Sequence, residues 1–146
     1  MSENIHLLRA KKEIVFGLKL AAAMIAGALL LALAHRQGWI DQEQVVRGHN
    51  VVIGLALAAF CNAMPKRLHG SPRSVQHATL AQSIGRVGGW SMTLAFLVWS
   101  LLWAFAPQGL ASTGSVAAVG AGLLLMIGYT TWKCVACHRS RSHGGL

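Results

Sequence analysis

Four long apolar segments, separated by short polar ones, run along the chain. They cover residues 14–34, 45–64, 87–106 and 110–132. A helix that crosses the hydrocarbon core of a bilayer needs about 20 predominantly apolar residues, and these segments reach that length. Pro65 follows the second segment and Pro107 follows the third. Because proline disrupts the interior of a helix, both residues indicate helix ends. The pattern predicts an all-α membrane protein, a bundle of four transmembrane helices within residues 14–133.

The second segment is the least regular of the four. Its uninterrupted apolar part, residues 51–64, would span about 21 Å as a helix, which is shorter than the roughly 30 Å hydrocarbon core. Arg47, His49 and Asn50 precede that part, so we expect this polar turn to lie at the membrane interface or to face other helices. Lys19 is one turn inside the first segment, close enough to its end to reach the headgroups.

The composition agrees with lipid contact. Of the 146 residues, 54% are hydrophobic and only 12% are charged, and the mean hydropathy is +0.50. Soluble globular domains carry about 25% charged residues. The net charge of +9 is a property of many nucleic-acid-binding proteins, but here the basic residues flank the apolar segments instead of forming one stripe. We therefore interpret them as determinants of membrane topology and predict no nucleic-acid partner.

The positive charges are distributed unequally between the two sides of such a bundle. Three regions that share one side hold eleven Lys and Arg residues: Arg9, Lys11, Lys12, Lys19, Lys66, Arg67, Arg73, Arg86, Lys133, Arg139 and Arg141. The other side holds only Arg36 and Arg47. Because cytoplasmic flanks carry the excess of Lys and Arg, we predict that both termini are cytoplasmic. Residues 1–13 then form a cytoplasmic N-terminal segment and residues 134–146 a basic cytoplasmic tail.

A charged N-terminus before an apolar run is also typical of secretory signal peptides. The sequence Ala-Leu-Ala at residues 32–34 resembles a cleavage site. The apolar region of a signal peptide is about 7–15 residues long, however, and the run at residues 14–34 is longer. We interpret it as an uncleaved first helix.

Small and aromatic residues indicate how the helices pack. Small residues allow close approach of helix backbones in lipid, and the first and fourth segments contain Gly17, Gly27, Gly114, Gly120, Gly122 and Gly128. We expect Met24, Met92 and Met126 to fill gaps in that packing. Trp99 and Trp103 are one turn apart, so they form one aromatic face. That face is a helix contact, part of the outer aromatic belt, or a surface for a ligand or partner.

The C-terminal tail contains the sequence Cys134-Val135-Ala136-Cys137-His138. A CxxCH sequence is the attachment signature of c-type haem, in which two thiols bond to the porphyrin and the histidine ligates the iron. Covalent attachment of haem takes place outside the cytoplasm, whereas the charge distribution places this tail inside. The chain also has no soluble domain that would enclose a porphyrin, so we do not expect haem.

A zinc site is an alternative for the same tail, with Cys134, Cys137, His138 and His143 as the four ligands. Zinc is bound tetrahedrally by Cys and His residues in pairs such as C-x2-C. Two other interpretations remain open, namely an inert tail with reduced thiols and a juxtamembrane palmitoylation site. We therefore expect no resident cofactor, and a metal ion at this tail is the alternative.

The residues of common catalytic sites are missing from the sequence. It contains no GxSxG, HExxH or Walker sequence, and its four acidic residues are Glu3, Glu13, Asp41 and Glu43. Acid–base catalysis by paired carboxylates is therefore not expected, and we predict that the protein is not an enzyme. None of the acidic residues lies within a predicted span, which disfavours active transport because proton-coupled transporters keep an ionisable group near the midplane.

Two short sequences flank the loop between the second and third segments. The second segment ends with Asn62-Ala63-Met64-Pro65-Lys66, and the third begins with Arg86-Val87-Gly88-Gly89-Trp90. The pair resembles the SdpI family of small bacterial membrane proteins, which show G-N-x-(M/L)-P-K at a helix end and R-x-(G/A)-G-W at the next helix start. The resemblance covers residues 51–102, with Cys61 in place of the glycine of the family.

The resemblance implies a helical protein of the bacterial inner membrane that acts in immunity to a secreted toxic peptide or in membrane signalling. We therefore expect a peptide or membrane-protein partner besides the lipid bilayer. Asn62, Lys66, Arg86 and Trp90 are the candidate residues, either in contact with the partner or closing a corner of the bundle. An accessory or assembly subunit of a larger membrane complex and a metal or redox protein are the alternative functions.

Overall fold

The computed structural model describes the backbone of residues 2–63 and 75–143, and the side chains of residues 8, 11–63 and 81–136. This part of the chain forms four α-helices and no strand. The helices are α1 (Ser2–Arg36), α2 (Gln42–Ala63), α3 (Val75–Phe105) and α4 (Gln108–His143). Each is long and apolar enough to cross a membrane. The predicted all-α bundle of four transmembrane helices is confirmed.

The first and last helices extend well beyond the apolar segments of the sequence. α1 has 35 residues and α4 has 36, which at 1.5 Å per residue gives lengths of about 52 and 54 Å, against a core of roughly 30 Å. Because four helices cross the membrane in alternation, the start of α1 and the end of α4 lie on the same side. Residues 2–13 and 134–143 are therefore helical extensions of the membrane spans.

The start of the third helix differs from the sequence-based expectation. α3 begins at Val75, three turns before the predicted start at residue 87, so Arg86 lies inside a helix and not at its mouth. Residues 64–74, which connect α2 to α3, lie outside the described residues. The hydropathy pattern reports where a helix enters lipid, whereas the helix itself begins earlier, in a polar stretch that lipid does not cover.

Local sequence explains the two described turns. At the end of α1, Gly38 adopts a φ of 75°, and the Trp39 amide donates to the carbonyl of Ala34 over 3.0 Å, which is the glycine-terminated helix end of the Schellman type. α2 begins with a capping box, in which the Gln44 amide donates to Asp41 Oδ1 over 2.7 Å and the Asp41 amide donates to Gln44 Oε1 over 3.1 Å. Pro107 separates α3 from α4.

The helices follow one another in space in the order of the chain. α3 packs against both α2 and α4, whereas α1 packs against α2. Within the described residues, no Cα pair closer than 8 Å joins α2 to α4, or α1 to α3 or α4. The bundle is therefore an open row in which α2 and α3 are the two inner helices.

Small residues lie at each interface of the row. A Cβ atom built on Gly27 would lie 3.2 Å from the side chain of Val52, and one built on Gly122 would lie 3.0 Å from Ala95. These contacts confirm the expected role of Gly27 and Gly122. Gly17, Gly120 and Gly128 were expected to pack as well, but within the described chain a Cβ on any of the three would meet no atom within 4 Å. These three glycines lie on faces that no neighbouring helix covers.

Candidate functional site

The four candidate residues of the loop region lie near the ends of α2 and α3 on the side of both termini. Asn62 is in the last turn of α2, and its side chain is exposed. Arg86 and Trp90 are one turn apart on α3, and both are exposed, Trp90 by 58%. Lys66 lies outside the described residues. Three of the four candidates therefore have side chains that are not used in the packing of the row.

The residues between Arg86 and Trp90 face the opposite way. Gly88 and Gly89 are both buried, and a Cβ on Gly88 would lie 3.1 Å from Cγ of Met126 in α4. Gly88 therefore permits the close approach of α4. Met126 fills the space in front of Gly88, as expected for a flexible apolar side chain.

The contact between α2 and α3 lies one turn further along. Thr93 is buried, and its hydroxyl donates to the carbonyl of Gly89 over 2.7 Å and lies 3.5 Å from the carbonyl of Ala58 in α2. Ala58 and Cys61 are buried on the facing side of α2. The two small residues let the α2 backbone approach α3, and the turn that carries Arg86 and Trp90 is fixed from its inner side.

The exposed side of α3 continues from Trp90 along the helix. Leu94, Leu97 and Leu101 follow at spacings of four, three and four residues, and all three are exposed. Together with Arg86 and Trp90 they form the α3 ridge, an apolar strip with a cation at one end. The spacing of its five members, i, i+4, i+8, i+11 and i+15, can be read from the sequence, whereas the side of α3 that no helix covers is given only by the structure.

The aromatic pair of α3 belongs to the helix contacts. The indole Nε1 of Trp99 donates to the carbonyl of Asn50 in α2 over 3.2 Å, and Trp103 is only 8% exposed. Of the three interpretations of this pair, the structure supports the helix contact.

The polar turn of α2 around Arg47 also faces another helix. Arg47 donates through a terminal guanidinium nitrogen to the carbonyl of Ala106 over 2.9 Å, and its Nε donates to Glu43 Oε1 over 3.0 Å. The bond to Ala106 joins the start of α2 to the end of α3, where the last carbonyls of a helix lack partners of their own. The expectation that this turn lies at the interface or faces other helices is confirmed for Arg47.

The cysteine-rich tail is part of α4. Cys134 is exposed, and the side chains of Cys137, His138 and His143 lie outside the described set. Because α4 remains helical to His143, positions 134, 137 and 138 share one side of the helix, whereas position 143 is nine residues from Cys134 and on the opposite side. A single helix therefore does not bring all four expected zinc ligands to one point. The described side chains contain no group of three potential metal ligands.

An aromatic anchor precedes that tail. The ammonium group of Lys133 lies 5.5 Å from the ring of Trp132 and 5.8 Å from the ring of Tyr129. Cation–π contacts of this kind and amphipathic aromatic rings are typical of the membrane–water boundary. Residues 129–133 therefore indicate where α4 reaches the membrane–water boundary on the side of the two termini.

Comparison with protein-family models, with curated proteins and with solved structures finds no match to this chain.

Proposed function

We propose that the protein is a non-enzymatic, multi-pass protein of a bacterial inner membrane that recognises a peptide or a membrane-protein partner through the α3 ridge. The observation that carries this proposal is the contrast within one turn of α3. Gly88 and Gly89 are buried against the row, whereas Arg86 and Trp90, on either side of them, are exposed. Packing of the four helices does not account for those two side chains.

The chemistry of the ridge fits an apolar helix or peptide with an acidic group near the membrane boundary. Trp and Arg are the residues most enriched among those that dominate binding energy at protein interfaces. Within the described residues, Arg86 has no carboxylate partner, since the ion pair found there joins Arg47 to Glu43. A partner that supplies a carboxylate opposite Arg86 would therefore gain a charge-assisted hydrogen bond. Asn62, exposed at the end of α2, offers a further donor and acceptor on the same side of the membrane.

Site-specific photo-crosslinking in native membranes tests the proposal. A photoreactive amino acid is placed at Trp90 or at Leu94, and the matched control position is Leu124, which is 72% exposed on α4. We expect the two ridge positions to give one adduct of the same mass and Leu124 to give none. Introduction of Arg86→Ala should remove that adduct while the amount and the thermal stability of the protein stay unchanged.

Lipid adducts alone at all three positions would contradict the proposal, because the ridge would then face the bilayer only. A loss of stability in Arg86→Ala would contradict it too, since the residue would then be part of the bundle. For this reason the crosslinking and the thermal unfolding are measured on the same preparations.

A second function, that of an accessory subunit in a larger membrane complex, is favoured by the position of α1. Within the described chain α1 packs against α2 alone, which leaves most of its surface for lipid or for other subunits. A subunit would be purified with a fixed stoichiometry of its partners, whereas a receptor for a peptide would be purified alone and bind afterwards. Mild detergent extraction followed by native mass spectrometry separates the two.

A further inference from the structure

One face of α1 forms a groove that combines lysines with apolar side chains. Six residues at successive spacings of three and one line it, and the cavity volume is about 450 Å³. They form the lysine groove: Leu8, Lys11, Lys12, Val15, Phe16 and Lys19. Since residues three and four apart in a helix are neighbours on its surface, three ammonium groups and three apolar side chains lie together on one side of α1.

The lysine groove lies beside the contact between α1 and α2. α1 contacts α2 through Gly27 and Leu31, about two to three turns beyond the groove, and within the groove Phe16 is half-buried. The other five groove residues are exposed. Because α1 packs against no other helix in the described part of the chain, the groove opens toward lipid and headgroups.

The register of α1 and α2 gives the depth of the groove. Gly27 faces Val52, and the two helices run in opposite directions. Phe16, eleven residues before Gly27, is therefore level with Ala63, eleven residues after Val52, where α2 ends. The lysine groove thus extends across the level at which the membrane span of α2 ends, and Lys19 lies on the membrane side of it.

No described group of the protein neutralises the three lysines. Asp41 and Glu43 lie at the start of α2, on the opposite side of the membrane from the groove. Glu13 lies on the same side of the α1 helix as the residues that contact α2, and not on the side of the lysines. Among the described residues, none of the three ammonium groups forms an ion pair. A cation at the edge of the hydrocarbon is stabilised when it pairs with an anion, and an anionic headgroup would supply that anion at this level.

We propose that the lysine groove binds an anionic phospholipid of the leaflet on the side of both termini. In a helix the Cα–Cβ bonds tilt toward the N-terminus, which lies on this side, so the Lys19 side chain extends toward the level of Val15. Its ammonium group binds the headgroup phosphate near that level, and the Lys12 ammonium group, which extends further toward the N-terminus, adds a second positive charge on the headgroup side. The start of an acyl chain lies against Val15 and Phe16. This site is separate from the α3 ridge and does not depend on the proposed partner.

Spin-labelled lipids test the proposal on the full-length protein. The protein is reconstituted in phosphatidylcholine with a trace of spin-labelled phosphatidylglycerol or phosphatidylcholine, and the motionally restricted fraction gives the ratio of the two association constants. We expect a preference for phosphatidylglycerol in the natural protein. The variant Lys12→Gln/Lys19→Gln should lose it by about five-fold for each lysine removed, which is the usual contribution of a basic residue near an anionic surface.

Two matched variants separate a built site from general attraction to a basic protein. Lys12→Arg/Lys19→Arg keeps both charges and should keep the preference. Arg36→Gln/Lys133→Gln removes two charges outside the groove, one of them at the same membrane boundary, and should also keep it. An equal loss in the Arg36→Gln/Lys133→Gln protein would overturn the proposal, as would an unchanged preference in Lys12→Gln/Lys19→Gln. Inorganic phosphate should not compete, and competition would show a site for free phosphate instead of lipid. Circular dichroism of each variant confirms that the helices are intact.

Discussion

At the scale of single residues, the contact between α2 and α3 depends on Gly54. A Cβ built there would lie 2.9 Å from Cδ1 of Trp99 and 3.2 Å from the backbone carbonyl of Phe96, and it would also meet the hydroxyl of Ser100. Because one of these atoms belongs to the backbone of α3, rotation of a side chain does not relieve the conflict. The size of one residue thus sets the distance between two helices.

We predict that Gly54→Leu lowers the free energy of unfolding by about 1–3 kcal/mol, the usual cost of overpacking. Unfolding in mixed micelles with increasing denaturing detergent measures it. Gly120→Ala is the control, because a Cβ at Gly120 meets no described atom within 4 Å, and its stability should equal or exceed that of the natural protein. Equal stability of Gly54→Leu and the natural protein would mean that α2 and α3 do not approach at this point.

At the scale of helices, α3 is one of the two inner helices of the row, and it has a small-residue contact on each side. Toward α4 these are the contacts of Gly88 with Met126, of Ala95 with Gly122, and of Leu102 with Gly114. Two buried polar side chains of α3, Thr93 and Ser100, donate to carbonyls of their own helix. They are therefore satisfied without a partner helix, and packing is the main link between the helices.

The pair of Gly88 and Met126 gives a prediction at this scale. Gly88→Leu should weaken the contact of α3 with α4 by about 1–3 kcal/mol, because the new side chain occupies the space of Met126. The double variant Gly88→Leu/Met126→Ala should recover part of that loss, since removal of the Met126 side chain leaves room. Thermal unfolding of the four proteins of this double-mutant cycle measures the coupling. Purely additive effects would show that the two residues do not touch.

At the scale of the whole molecule, the row has its basic residues on the side where α1 begins and α4 ends. The described cations on that side include Lys11, Lys12, Arg86 and Lys133, while Arg36 and Arg47 are at the opposite end. Arg47 is engaged with Ala106 and Glu43. The excess of Lys and Arg on one side favours an orientation with both termini in the cytoplasm.

Cysteine labelling in intact cells tests that orientation. An engineered Gln108→Cys, at the exposed start of α4, should react with a membrane-impermeant maleimide, whereas the native Cys134 and Cys137 should react only after the cells are opened. Labelling of the native tail cysteines in intact cells would reverse the orientation. It would also make covalent haem attachment at the CxxCH sequence possible, which a Soret band lost in Cys134→Ser/Cys137→Ser would then establish.

Hydropathy and length alone determined the number of helices, their order and the positions of the two described turns, but not the start of α3. Spanning a membrane is a local property, since each helix satisfies its own backbone hydrogen bonds and needs only about 20 apolar residues. Gly38, the Asp41–Gln44 capping box and Pro107 are likewise local signals.

The faces that pack were decided only by the tertiary structure. In lipid, apolar residues on the two sides of a helix have nearly the same environment, so the hydrophobic pattern does not distinguish a packed face from a lipid-facing one. For that reason Gly17, Gly120 and Gly128 were expected to pack, although a Cβ on any of them would meet no described atom within 4 Å. The exposure of the α3 ridge and of the lysine groove also follows only from the tertiary structure, because it depends on which helices pack against α3 and α1.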